Sequence, residues 1–285
     1  MLIDSFSLDC IEKLRSRASN LPPAYSIYML VDGAFREGIH KIFPDEEKRI
    51  LFDLLPSCST KTRDVSPFLI GFNPLDKRIG VLLGRCSGWP MVSAIETTES
   101  LSVLSIRLAA WCIVEADSSR FNFRFADTRR IPAIFRVLTS KQKASFLGPA
   151  ANWSFIRRDG EWEIIVIREQ SYQPHPPISD PCLEISQFNA LIEDSRADEI
   201  LAVMAYRGEK PGRASGRIWG SIVAALKISV RANLTDVDTV EWAIWYANNH
   251  HDEVEAKLPI MLQEWVNMHC IIERDGECAS EPLSG

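Results

Sequence analysis

The chain has 285 residues, 46% of them hydrophobic and 25% charged, which excludes global disorder, a collagen-like repeat and low complexity. No apolar run reaches the roughly 18 residues a membrane span needs, and Met1-Leu2-Ile3-Asp4 with Asp9 and Glu12 lacks the basic-then-apolar pattern of a secretory signal. The net charge of −6 argues against a nucleic-acid partner.

Strand and helix signals alternate along the first part. Ser26–Val31 is an apolar, β-branched run ended by Asp32-Gly33, and reads as a buried strand. Asp45–Leu55 places Ile50, Leu51, Leu54 and Leu55 at helical spacing. Pro67–Phe72 reads as a strand, Ile79–Leu83 as a helix or short strand, and Met91–Ile95 as a strand. Ser100–Cys112 is a helix with Leu101, Leu104, Ile106, Leu108 and Trp111. Phe121–Phe125 alternates with period two, as a strand with one buried face does. A helix begins at Ile131-Pro132, where proline is tolerated, and runs towards Ser140. Trp153–Arg157 and Trp162–Arg168 form a hairpin around Arg158-Asp159-Gly160.

Gln173–Pro181 holds four prolines within 174–181, which neither a helix nor a central strand accepts. Beyond it strand signals cease, and helices are expected near 184–207, 215–232, 236–250 and 252–270, with Thr235 or Asp236 capping the third. Charge shifts at the same place. Up to Tyr172 there are 23 Lys+Arg against 20 Asp+Glu, and from Gln173 onward 9 against 18. The expected organisation is an α/β lobe over 1–172, a linker over 173–182, a helical lobe over 183–272 and a tail over 273–285. The fold class is α+β, with a mixed sheet and flanking helices in the first lobe.

Seven widely spaced cysteines without a C-x-x-C pair read as reduced thiols of a cytoplasmic protein. There is no P-loop, dinucleotide fingerprint or nucleophile elbow. Ser140-x-x-Lys143 lacks the companion motifs of the enzymes that use it. His250, His251, Asp252 and Glu255 fall short of a convergent ligand set and read as a helix junction, so no metal and no cofactor is expected. Asp32, ahead of Gly33, stands where α/β enzymes often carry a catalytic carboxylate, and equally where a turn former belongs. Asp127 lies among Arg124, Arg129 and Arg130, as a structural ion pair would.

In the helical half, the residues around Trp242 are apolar on two sides. Val240, Ala243, Ile244 and Ala247 fall on one side, and Trp242, Trp245 and Tyr246 on nearly the opposite one. Such a helix either sits centrally in its bundle or meets a partner through one face, and large aromatics are typical interface anchors. Gly216, Gly220 and Ala224, with Trp219 beside them, recur every four residues and fit close approach by a neighbouring helix or a client helix. Four tryptophans (219, 242, 245 and 265) in an acidic lobe suit a client with apolar and basic character.

Five stretches taken in order carry a resemblance: Tyr28–Ala34, Ser66–Ile70, Gly88-Trp89-Pro90, Phe123–Asp127 with Arg129, and Phe146–Pro149. Over residues 25–155 the chain resembles the family catalogued as domain of unknown function 4123. Thr128 departs from the family's usual Asp-Pro-Arg. The resemblance implies an adaptor chaperone of bacterial type VI secretion, which binds a protein effector and helps load it onto the VgrG spike, and it offers no catalytic residues. A hydrolase using Asp32 and Asp127, or a scaffold unrelated to secretion, are the other readings.

Overall fold

In the computed structural model the described residues are 2–56, 58–167, 181–209, 215–249 and 257–277. The chain packs as two units, Met1–Ser195 and Arg196–Gly285. The proline-rich segment lies outside the described residues except for Pro181 and Cys182, as do His250, His251, Asp252 and Glu255.

The first unit is built on one six-stranded sheet. Its strands are β1 (Ser26–Asp32), β2 (Lys48–Ile50), β3 (Pro67–Gly71), β4 (Val92–Thr97), β7 (Ala150–Ile156) and β8 (Trp162–Val166), in the order β2-β3-β1-β4-β7-β8. Every pairing in it is antiparallel. The α+β class holds, but the expected mixed sheet does not occur. Strand–helix alternation along a sequence does not distinguish parallel crossovers from antiparallel returns.

Both faces of this sheet are covered, which is why β1 reads as a continuous apolar run. Ile27, Met29 and Val31 join Phe68, Ile70, Val92 and Ala94 on one face. There they meet Leu14 of α1 (Cys10–Ser19) and Ile79, Leu82 and Leu83 of α3 (Lys77–Cys86). Leu30, Leu69, Ile95, Trp153 and Phe155 form the other face. It packs on Leu104 and Leu108 of α4 (Leu101–Ala110), Ile131 and Ile134 of α5 (Ile131–Val137), and Phe146 and Leu147 of α6 (Ser140–Leu147). A second hairpin, β5 (Ile113–Ala116) with β6 (Ser119–Asn122), closes this side.

Several segments depart from the sequence pattern. Residues 45–55, expected helical, are two short 3-10 turns flanking β2, because pairing of Lys48–Ile50 with Ile70–Phe68 overrides the apolar spacing. Buried Lys48 is held there by the carbonyls of His40 and Phe43 at 3.1 and 2.7 Å. The helix expected from Ile131 to Ser140 ends at Val137, and Thr139 caps a new one, α6, through a reciprocal bond with Gln142. Helix α1 has only Cys10 and Leu14 buried, too sparse a signal to read as a helix from the sequence.

Residues 181–195 belong to the first unit. Pro181 O accepts from Glu115 N at 2.9 Å, and Leu183 N donates to Glu115 O at 2.8 Å. Gln187, in the first turn of α7 (Ile185–Tyr206), pairs with Gln142 through both side-chain amides, at 2.7 and 3.1 Å. The second unit holds the remainder of α7 with α8 (Ser215–Arg231), α9 (Asp236–Asn249) and α10 (Leu258–Glu277). Among the described residues no helix is long and apolar enough to cross a membrane.

Candidate partner-docking site at the end of β1

Three neighbouring strands bring separated motifs to one place. Asp32 ends β1, Pro67 opposite it begins β3, and Val92 opposite Val31 begins β4. Asp32 N donates to Met91 O at 2.9 Å, and Gly33 N donates to Ser66 O at 3.2 Å. Gly33 is required by this closeness. A Cβ there would lie 2.5 Å from Ser66 O and 3.0 Å from the Val65 carbonyl carbon, both backbone atoms. Gly33→Ala is therefore expected to cost about 1–3 kcal/mol, as overpacking a tight core does, read as a lower urea midpoint; a variant as stable as the parent would refute the constraint.

The segment 123–129 crosses the same strand ends. It leaves the ladder after Asn122 but keeps the strand's alternation, so Phe123 and Phe125 enter the core while Arg124 faces solvent. The expected strand over 121–125 is thus only its first part. Thr128 N donates to Pro90 O at 2.9 Å and fastens the segment to the Trp89-Pro90 turn.

Two acid–arginine pairs result. Asp32, buried, accepts from Ala34 N through Oδ1 at 2.9 Å and from Arg124 Nη2 through Oδ2 at 2.9 Å. Asp127, also buried, accepts from Arg129 N and Nε through Oδ1 at 3.1 and 3.0 Å, and from Arg129 Nη2 through Oδ2 at 2.7 Å. Arg124 Nη2 stands 4.0 Å from Asp127 Oδ2 and links the pairs. Burial pushes the Asp32 carboxyl above its ordinary range, and the Arg124 guanidinium pulls against that. Both oxygens of each carboxylate accept hydrogen bonds from backbone or arginine, so both act as turn formers and arginine anchors.

The same pairs present an aromatic surface. The guanidinium carbons of Arg124 and Arg129 lie 5.3 and 5.6 Å from the centre of the half-buried Phe35 ring. Half-buried Trp89 is 6.2 Å from Phe35. Arg124 itself stays 42% exposed. Asp32, Gly33, Arg124, Asp127 and Arg129 therefore stand together. Phe35 is an addition; its sequence signal was only its place after Asp32-Gly33-Ala34. The Phe146–Pro149 stretch lies beneath, with the Phe146 ring 5.4 Å from Phe125 and 5.1 Å from Trp153.

The candidates in the helical unit are placed differently. Trp242 is fully buried, and its indole N–H donates to Ala225 O at 3.2 Å. It stacks on Trp245 at 5.7 Å and meets Tyr246 at 5.5 Å and Trp265 at 6.0 Å. Tyr246 is 2% exposed, and Trp245 is half-buried. Both apolar sides of α9 are covered, so Trp242 and Tyr246 are core residues rather than exposed anchors. The small-residue row does not form one open face either: Gly216 and Trp219 are half-buried, Gly220 is exposed and Ala224 is buried. A Cβ on Gly220 would meet nothing within 4 Å among the described residues.

Cys10, Cys58, Cys86, Cys112 and Cys182 are free thiols, and burial pushes Cys86 up to about 12, far from a reactive thiolate. Among the described residues no group of three or more His, Cys, Asp or Glu is arranged to hold a metal ion.

The first unit is thus an α+β domain with a covered antiparallel sheet, carrying a solvent-facing arginine–aromatic cluster at one end of it. Residues 27–145 match the model of the family described as Domain of unknown function (DUF4123). The resemblance drawn over 25–155 is borne out over that segment, which contains every residue of the cluster. No curated protein and no solved structure matches the chain.

Proposed function

We propose that this protein is a cytoplasmic bacterial adaptor chaperone that binds a type VI secretion effector non-covalently and helps load it onto the VgrG spike. The observation that carries the reading is the convergence of the family's motifs. Four of the five stretches meet at the end of β1, where they use two buried carboxylates to display Arg124, Phe35 and Trp89. Arginine and tryptophan are the residue types that most often carry binding energy at protein interfaces. The carboxylates themselves are engaged in holding the arginines, which suits display rather than proton transfer.

The test is co-expression with the effector and VgrG encoded in the same gene neighbourhood. The parent is expected to co-purify with the effector. Trp89→Ala, which removes a half-exposed ring from the cluster, is expected to lower the retained effector at least tenfold with the fold intact. An effector that never co-purifies, or one retained equally by a folded Trp89→Ala variant, speaks against this function or this surface respectively.

A further inference from the structure

The cluster at the end of β1 has a chemical preference that follows from how its charges are buried. Its formal charges cancel, since Arg124 and Arg129 face Asp32 and Asp127. Their exposure does not. Both carboxylates are buried and the Arg129 side chain is 11% exposed, while the Arg124 side chain is 42% exposed. Solvent therefore meets the positive end of the arrangement, and a carboxylate buried behind a guanidinium attracts little compensating charge from outside.

Arg124 is also held ready. Its Nη2 donates to Asp32 Oδ2 at 2.9 Å, and its guanidinium carbon lies over the Phe35 ring, 5.3 Å from the centre. Its Nε and Nη1 donors make no hydrogen bond among the described residues. A guanidinium fixed by one carboxylate and one ring loses less rotamer freedom when its remaining donors engage a second carboxylate. Phe35 and Trp89, 6.2 Å apart and both half-buried, supply an apolar contact beside those donors.

We infer that this surface recognises a partner segment in which a carboxylate adjoins a large apolar side chain, the carboxylate on Arg124 and the apolar group on Phe35 and Trp89. The inference rests on the adaptor reading and names the chemistry of its partner at this site. The carboxylate comes either from an acidic side chain or from a chain terminus.

The experiment uses the full chain and three dipeptides: N-acetyl-Gly-Phe with a free carboxylate, N-acetyl-Asp-Phe amide, and N-acetyl-Gly-Phe amide as the neutral control. NMR follows the Nε–H of Arg124 and the indole N–H of Trp89, assigned through Arg124→Lys and Trp89→Phe. Saturable shifts of both signals are expected from at least one carboxylate peptide, with a dissociation constant on the order of millimolar for so small a contact. The control is expected to bind at least tenfold more weakly. The first two peptides separate a terminal from a side-chain carboxylate. Arg124→Lys keeps the charge beside Asp32 but loses the planar fork, and should reduce the preference at least tenfold. The inference is overturned if neither acidic peptide produces saturable shifts, if the neutral amide binds as well, or if folded Arg124→Lys keeps the full preference. The comparison of acid with amide on the parent protein decides alone should Arg124→Lys lose its fold. Failure here with the effector still co-purifying refutes the recognition chemistry and leaves the adaptor reading standing.

Discussion

Replacing Asp127 by Ala is expected to lower the stability of the first unit by about 3–5 kcal/mol, the cost of breaking a buried ion pair by removing one member. That is a large share of the roughly 5–15 kcal/mol that holds a folded protein together. Asp127 is 2% exposed and engages Arg129 through three bonds of 2.7–3.1 Å, one of them to the backbone N–H. Ala leaves that N–H without this acceptor and takes from the largely buried Arg129 guanidinium the carboxylate that its Nε and Nη2 engage. Asp127→Asn keeps an acceptor for the backbone N–H and should lose less. The sharper test adds Arg129→Met to Asp127→Ala. Removing the guanidinium as well should return part of the lost stability, because part of the penalty lies in a largely buried charge that has lost this carboxylate. Hydrogen exchange of the β1 and β4 amides reads this unit separately from the helical one. An Asp127→Ala variant within about 1 kcal/mol of the parent, or a double variant no better than the single, refutes the account.

The elements legible in the sequence are those whose own residues decide them. Ile27–Val31 is buried on both sides and reads as a strand wherever it pairs. Asp159-Gly160 sets its hairpin locally, with Gly160 at φ 79°. Ser100 caps α4 by accepting from Val103 N at 3.3 Å. What the sequence did not disclose is fixed by partners far along the chain. Lys48–Ile50 becomes a strand only because Phe68–Ile70 lies beside it. The antiparallel course of the sheet is likewise set by distant pairings such as Ile95 with Trp153.

The candidate site divides the same way. The Asp127–Arg129 pair is local, two residues apart, and visible as a carboxylate among arginines. The Arg124–Asp32 pair spans 92 residues and appears only once β1 and the 123–129 segment meet. Phe35 becomes a platform for the same reason, since its arginines come from that distant segment. In the helical unit α9 is apolar on two sides, but periodicity does not say what covers each side. Trp265 of α10 and Ala225 of α8 cover the side of Trp242. On the adaptor reading proposed above, the docking surface belongs to the first unit rather than to the acidic helical half, and the expected partner chemistry is acidic rather than basic.

Trp242→Ala is the variant that decides the status of α9. With the indole fully buried, its N–H donating to Ala225 O and its ring against Trp245, Tyr246 and Trp265, truncation opens a cavity in the middle of the second unit. Phe or Trp to Ala in such a place costs about 3–5 kcal/mol. The loss should appear as early unfolding of the helical unit, followed by hydrogen exchange of the α8 and α9 amides, while β1 and β4 keep the protection of the parent. The Trp245→Ala/Tyr246→Ala double variant should also melt early, because Tyr246 is as buried as a core residue even though Trp245 is only half covered. An interface anchor behaves in the opposite way: its removal leaves unfolding unchanged and takes the partner away. If either variant keeps the parent's stability and instead releases a co-purified effector, the aromatic side of α9 belongs to the partner and the surface at Arg124 is not the principal one. If both melt early and Trp89→Ala alone releases the effector from a fully stable protein, the helical unit's aromatics are its core and the end of β1 is where the partner docks.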